Sequence, residues 1–181
     1  MRSRLTVIAV VLLTMLCACQ QHTVCHQFHH IAGPGWDKTD TIHFDIAPLK
    51  TGGNYRLDAE LRTDLEYPFR QLAIVVNQTV YPACKTFHDE ISCNLVSEEG
   101  IIGGDGISYF QYRFHVRDII LHQGDSIHLS LTHNMKREIM PGIADVGILI
   151  TRQESEDTNQ ESGIRRQESG VLNQESGDRS Q

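Results

Sequence analysis

The feature that most limits the possible folds is a two-residue rhythm of apolar side chains, which recurs from Ile42 to Ile150 without giving way to a helical period. Ile42, Phe44 and Ile46 alternate with His43 and Asp45. Tyr55, Leu57, Ala59 and Leu61 alternate with Arg56, Asp58 and Glu60. Ile127, Leu129 and Leu131 alternate with Ser126, His128, Ser130 and Thr132. Successive side chains of an extended chain leave opposite faces, so each run offers one face to a core and one to water. Phe110, Tyr112, Phe114 and Val116 form the most aromatic of these faces, opposite Gln111, Arg113 and His115. Residues 72–76 are apolar throughout, which predicts a strand in mid-sheet with material packed on both sides, continued by 79–81 and ended by Pro82. Pro48, Gly52-Gly53-Asn54, Gly103-Gly104-Asp105-Gly106 and His122-Gln123-Gly124-Asp125 supply turns between the runs. The pattern predicts an all-β chain: a single β-sandwich, jelly-roll or immunoglobulin-like, of about seven or eight short antiparallel strands. The runs at 42–46 and 55–61 are expected to pair with each other.

The first residues predict where such a domain resides. Arg2 and Arg4 precede an apolar run from 5 to 16, too short to span a bilayer comfortably, and the run closes on Leu16-Cys17-Ala18-Cys19. This is the pattern of a lipoprotein signal at 1–18. Cys19, with Leu16 three positions before it and Ala18 immediately before it, is the expected lipidation site in preference to Cys17, which follows Thr14 and Leu16. Acyl chains on Cys19 would hold the mature chain in a membrane; an ordinary secretory signal cut nearby is the alternative. Residues 19–35, polar and rich in histidine, read as a lipidated tether, 36–151 as the β-sandwich domain, and 152–181 as a disordered tail. In that tail Gln-Glu-Ser-Gly recurs at 160–163, 167–170 and 174–177, with a glycine in each unit and no apolar seam to support a coiled coil. The chain carries a formal charge of −7, which becomes more acidic once Arg2 and Arg4 are removed. With no basic run, nucleic acid is excluded as a natural partner.

Cys19, Cys25, Cys84 and Cys93 remain after processing. Cys84 and Cys93 are close enough in sequence to close a hairpin loop, where a disulfide contributes about 2–3 kcal/mol; two buried, reduced thiols are the other reading. Cys25-His26-Gln27-Phe28-His29-His30 offers a thiol and three imidazoles, ligand types that borderline metals use. No matching half-site follows, so a solvated linker and no metal are expected. His88-Asp89-Glu90 and His133 have the residue types of a base and its orienter, and Asp64 with Glu66 is a carboxylate pair too local to flank a sugar bond. Hydrolase elbows, zinc-protease helices, phosphate loops and EF-hands are absent. No catalytic residue, no enzyme activity and no cofactor are expected.

Three pieces of the chain resemble the gliding-motility-associated lipoprotein H family of Bacteroidota. They are Gly35-Trp36, the segment Glu60-Leu61-Arg62-Thr63-Asp64-Leu65-Glu66-Tyr67-Pro68-Phe69-Arg70-Gln71-Leu72, and Met140-Pro141-Gly142-Ile143-Ala144-Asp145-Val146-Gly147-Ile148. His133-Asn134-Met135-Lys136-Arg137 fits the family's polar-Met-basic stretch. Glu66, Phe69 and Gln71 stand where the family tends to have aspartate, tyrosine and asparagine. The resemblance implies a membrane-anchored lipoprotein, facing the periplasm, that serves the gliding and associated secretion apparatus as an accessory or scaffold component. It also implies other envelope proteins as partners, beside the bilayer that holds acylated Cys19, and it brings no catalytic residues.

In physical terms Pro68 fixes its own φ and pushes Tyr67 toward extended geometry, making a rigid corner. Arg62 and Asp64 are expected to pair across that corner. Gly142 permits a turn that a β-carbon forbids, and Asp145 is expected to accept backbone N–H groups at the start of the last strand. These six residues are candidates for holding the fold or touching a partner. A glycan-binding sandwich is the alternative function, and it requires Phe110, Tyr112 and Phe114 to face outward.

Overall fold

The computed structural model describes residues 22–153, and the chain there is all β. Its strands are β1 (Thr23–His30), β2 (Trp36–Asp37), β3 (Ile42–Ile46), β4 (Gly53–Asp64), β5 (Gln71–Tyr81), β6 (Lys85–Asn94), β7 (Asp105–Gly106), β8 (Tyr109–Leu121), β9 (Ser126–His133), β10 (Ile139–Met140) and β11 (Ile143–Gln153). One sheet has the order β1-β11-β4-β8-β7, a second has β3-β9-β5-β6, and β2 with β10 forms a two-stranded ribbon. All pairings are antiparallel. Three of the strands have only two residues, so the eight longer ones match the number expected from the alternation.

The inner faces of the two sheets share one core. Leu57, Leu61, Ile148 and Ile150 come from the first sheet and Leu72, Ile74, Val76, Leu129 and Leu131 from the second, all at 3% exposure or less. Burying a side chain of this size contributes about 1.5–3 kcal/mol, so these alternating positions are what the period-two sequence provides for folding. The alternation changes phase once. Along β8, Tyr112 points inward, but Ile119 and Leu121 do so further on. A bulge opposite the Leu57/Asp58 step adds one residue to β8 and shifts its phase. Phe110, Phe114 and Val116 also pack against the core, and the Tyr112 and Phe114 rings stack at 6.2 Å. The aromatic row therefore faces the partner sheet, which removes the feature the glycan-binding alternative needs.

Four expectations are corrected. Residues 23–30 are no tether: they form β1 and pair with 145–151 at the edge of the larger sheet, with Cys25 pointing into the core. Local polarity could not reveal this, because an edge strand with one core-facing residue has the composition of a linker. The last strand continues through Gln153, two residues into the expected tail. The strands at 42–46 and 55–61 do not pair; β3 joins β9 in one sheet while β4 lies between β11 and β8 in the other. Finally, Cys84 and Cys93 are free thiols. Cys84 lies in the turn before β6 and Cys93 near the far end of that strand. Nine residues of extended chain separate them by roughly 30 Å, several times the reach of a disulfide. The expected signal at 1–18, Cys19 and the Gln-Glu-Ser-Gly repeats lie outside the described residues.

The sandwich has two distinct ends. At the near end are the start of β1, the end of β11 and the turns at 47–52, 82–84 and 122–125; Thr23 pairs with Thr151, Gly53 with Leu121, and Tyr81 with Ser126. At the far end β4 leads into β5 through 65–70, and the segments 31–41, 95–108 and 134–142 gather around it. The twelve residues of β4 set the two ends roughly 40 Å apart.

Candidate functional site

The three sequence pieces that carry the family resemblance meet at the far end. Trp36 pairs with Met140 in the β2/β10 ribbon, and β11 enters beside β4 with Ile143 opposite Thr63 and Asp145 opposite Arg62. Trp36 is fully buried. Its Nε1–H donates to the Asp40 carbonyl at 3.1 Å, and its ring meets His133 edge-on at 5.3 Å. His133 donates from Nε2 to the Trp36 carbonyl at 3.1 Å and accepts the Met135 N–H at Nδ1, 3.4 Å away. Both ring nitrogens are thus committed in the neutral form, and burial pushes the imidazole pKa below its ordinary value.

Around this wedge the Tyr67-Pro68 corner is locked from the other side. The Asp64 N–H donates to the Gly142 carbonyl at 2.9 Å, and the Asp64 carboxylate accepts the Glu66 N–H at 2.8 Å. The Tyr67 hydroxyl donates to the Gln71 carbonyl at 2.8 Å, and burial raises its pKa. Gly142 has φ +74°, and a β-carbon there would strike the Tyr67 backbone and the Asp64 side chain. The glycine is required twice, for its conformation and for the space.

Arg62 does not pair with Asp64. Its guanidinium lies 3.8 Å above the Phe28 ring, donates to Gln111 Oε1 at 3.1 Å and stands 3.8 Å from Asp145. Asp145 meets side chains, Arg62 and the His30 ring at 3.1 Å, in place of the backbone N–H groups expected. The same arrangement recurs along the outer face of the larger sheet. Glu60 lies between Arg113 at 2.8 Å and His26 at 2.5 Å, and Asp58 between Arg56 at 2.8 Å and His115 at 3.5 Å. Each carboxylate is shielded by an arginine and a histidine, which lets Glu60 be completely buried without being unpaired. The signal was present in the alternating Arg56, Asp58, Glu60 and Arg62, all on one face of β4.

Beside the corner opens a cleft of about 1070 Å³ lined by Pro68, Phe69, Arg70, Leu95, Ile101 and Met135 among others. Arg70 is held by the Ser97 carbonyl, and Met135 accepts the Ala73 N–H at sulfur, 3.4 Å away. Ile101, 66% exposed, lines the cleft, and Leu65 at 70%, Ile107 at 90% and Tyr109 at 59% exposure lie in or beside the far-end loops. The polar lining of the cleft includes Glu98 and Glu99 together with Arg70, Gln71, Asn94 and Ser97.

The chemical candidates do not converge. His88 bonds Asn77 at 2.7 Å, Asp89 holds Arg117 at 2.7 Å, Glu90 accepts from Asn134 at 2.8 Å, and His133 is buried beneath Trp36. Cys25 and His26 lie on opposite faces of β1, the thiol inward and the imidazole on Glu60. Among the described residues no cluster of three His, Cys, Asp or Glu could hold a metal.

The chain matches the family described as GldH lipoprotein over residues 23–150. It is 23% identical over 155 residues, 77% of this chain and 91% of the relative, to the gliding motility lipoprotein GldH of Flavobacterium johnsoniae. Solved structures give weaker likenesses. Latent dimeric PorU from Porphyromonas gingivalis shares 10% identity with a TM-score of 0.33, over 71% of this chain and 12% of PorU. A family 35 carbohydrate-binding module from Clostridium thermocellum shares 10% identity with a TM-score of 0.31, over 68% of this chain and 90% of the module. At such scores neither decides anything about function.

Proposed function

Because this chain belongs to the GldH lipoprotein family, we propose that it is a membrane-anchored, non-catalytic lipoprotein of the cell envelope. In this reading it is an accessory or scaffold component of the gliding-motility and associated secretion machinery. The observation that carries the reading is the span of the family match. Residues 23–150 run from the first strand of the sandwich to the last, so the likeness covers the folded body and is independent of the signal that all lipoproteins share. The three motif pieces support the same reading, because they build one corner beside an open cleft of mixed polar and apolar lining and hold backbone to backbone without assembling reactive groups. Anchoring is assigned to acylated Cys19. No acidic residue follows it closely, which favours a periplasm-facing domain over cell-surface display.

Growth with an alkyne fatty acid tests the anchor: wild-type protein is expected to take the label and Cys19→Ala to lose it. In-cell crosslinking followed by affinity purification tests the assignment, with envelope proteins of the gliding apparatus expected in the adducts. An unlabelled, freely soluble species without such adducts contradicts the proposal.

A further inference from the structure

We propose that the near end of the sandwich rests on the surface of the bilayer that holds acylated Cys19, through Lys50, Lys85, Arg152, Val24, Tyr81 and Ile120. The inference depends on the lipidation assigned above and adds an orientation to it. Its first support is chain length. Thr23 is already paired with Thr151, and the four residue steps back to Cys19 reach about 14 Å at most. That exceeds the headgroup layer of one leaflet, roughly 5–8 Å thick, by less than about 10 Å, so the near end stays within about 10 Å of the membrane surface. A link this short also keeps the effective concentration of surface contacts high, and individually weak contacts suffice.

The second support is the chemistry of that end. The whole chain is acidic at −7, and the far-end segments share that sign, with Asp37, Asp40, Glu66, Glu98, Glu99, Asp105 and Glu138 outnumbering Lys38, Arg70, Lys136 and Arg137. The near-end turns and chain end instead present Lys50, Lys85 and Arg152, all exposed. No carboxylate among the described residues pairs with these three cations; Lys85 stands over the Phe87 ring at 4.9 Å. The carboxylates toward this end have other partners: Asp125 accepts the His122 N–H at 2.8 Å, Asp118 lies 3.7 Å from His115 and the exposed Asp45 lies 2.6 Å from His128. Among these cations Ile120 is 75% exposed, Tyr81 44% and Val24 43%. Cations interspersed with exposed apolar and aromatic side chains suit an anionic headgroup layer. An acidic body with one cationic end is oriented by such a surface, cationic end inward. The acidic segment 154–181 leaves from this end as well, so its removal is expected to strengthen the contact.

The test uses full-length acylated protein reconstituted in vesicles of phosphatidylethanolamine and phosphatidylglycerol. In a Cys84→Ser background, Ile120→Cys and Ile107→Cys each receive a fluorophore, and spin-labelled lipid headgroups serve as quencher. Quenching is expected to be several-fold stronger at position 120 than at 107. It is expected to weaken in high salt and in a Lys50→Glu, Lys85→Glu, Arg152→Glu variant that still floats with the vesicles. A floating protein whose two probes are quenched alike overturns the orientation and leaves the lipidation standing. An intact mass without acyl chains overturns both.

Discussion

The two ends of this sandwich are built by different means. At the far end buried side chains and backbone contacts determine the geometry: Trp36 is wedged against His133, and Gly142 lies against the Tyr67 backbone. At the near end the 122–125 turn is closed by local hydrogen bonds, Asp125 N–H to the His122 carbonyl at 3.1 Å and His122 N–H to the Asp125 carboxylate at 2.8 Å. Gly124 has φ +90° there with open space around it, and Leu49 N–H ties the neighbouring turn to this one through the Asp125 carbonyl at 2.8 Å. The sequence pieces that carry the family resemblance collect at the far end. The near end buries Tyr55, Leu49 and Leu121 beneath its turns, and on its surface it carries charge and a few exposed apolar groups. A corner that specifies shape tolerates little substitution, because its neighbours cannot shift to make room.

The largest contrast is chemical accessibility. Cys84 is exposed in a near-end turn, while Cys93 is buried at the far end with its thiol pushed up to about 12 by desolvation. Alkylation of the folded protein, followed by peptide mass spectrometry, is expected to modify Cys84 first. Cys93 should follow about a thousandfold more slowly, because it must wait for the structure to open. Equal rates, or a peptide containing a Cys84–Cys93 disulfide, would remove the contrast.

Next in size is Trp36→Ala, expected to cost about 3–5 kcal/mol in denaturant unfolding, as removal of a fully buried large ring does. A matched pair of glycines then separates packing from conformation. Gly142→Ala must accept positive φ and a clash with backbone, about 2–4 kcal/mol. Gly124→Ala must accept only the φ, about 1 kcal/mol. Equal costs would show that the far end is no more tightly specified than the near one.

His133 adds a pH dependence of known sign. Its folded pKa lies below the ordinary value of about 6.5, so the unfolded chain binds the proton more readily. Its contribution is fully present above that ordinary value and is lost as pH falls through the folded value. The slope contributed by this one group is at most about 1.4 kcal/mol per pH unit. His133→Gln is expected to show a shallower loss of stability below pH 6.5 than wild type in parallel unfolding titrations. The smallest effects belong to the exposed positions. Ile107→Ser and Ile120→Ser should each change stability by less than about 0.5 kcal/mol, and any larger phenotype in cells would report contact with something outside the chain.

Much of this molecule could be read from its residues, because alternation records burial directly. The inward sets of β3, β4 and β9 are those that Ile42, Leu57 and Leu129 suggested, and the 71–81 strand ends where Pro82 requires. The partners of each strand were not legible, since period two is the same in any sheet order. This is why β3 and β4 were expected together. β1 was missed because a half-solvated edge strand held mainly by backbone pairing resembles a polar linker. At the candidate site the motif segments were identifiable, yet their meeting was not, because Arg62 lies far in sequence from Phe28, Gln111 and Asp145. The turn at Gly142 was the exception, because a positive φ is specified by a single residue.

Site-specific photocrosslinking in cells tests the two-ended account most directly, with benzoylphenylalanine placed at position 107 or at position 120 of the full-length protein. The account predicts protein adducts from 107 and none above background from 120, where the probe meets lipid. Protein adducts from 120 with none from 107 would contradict it.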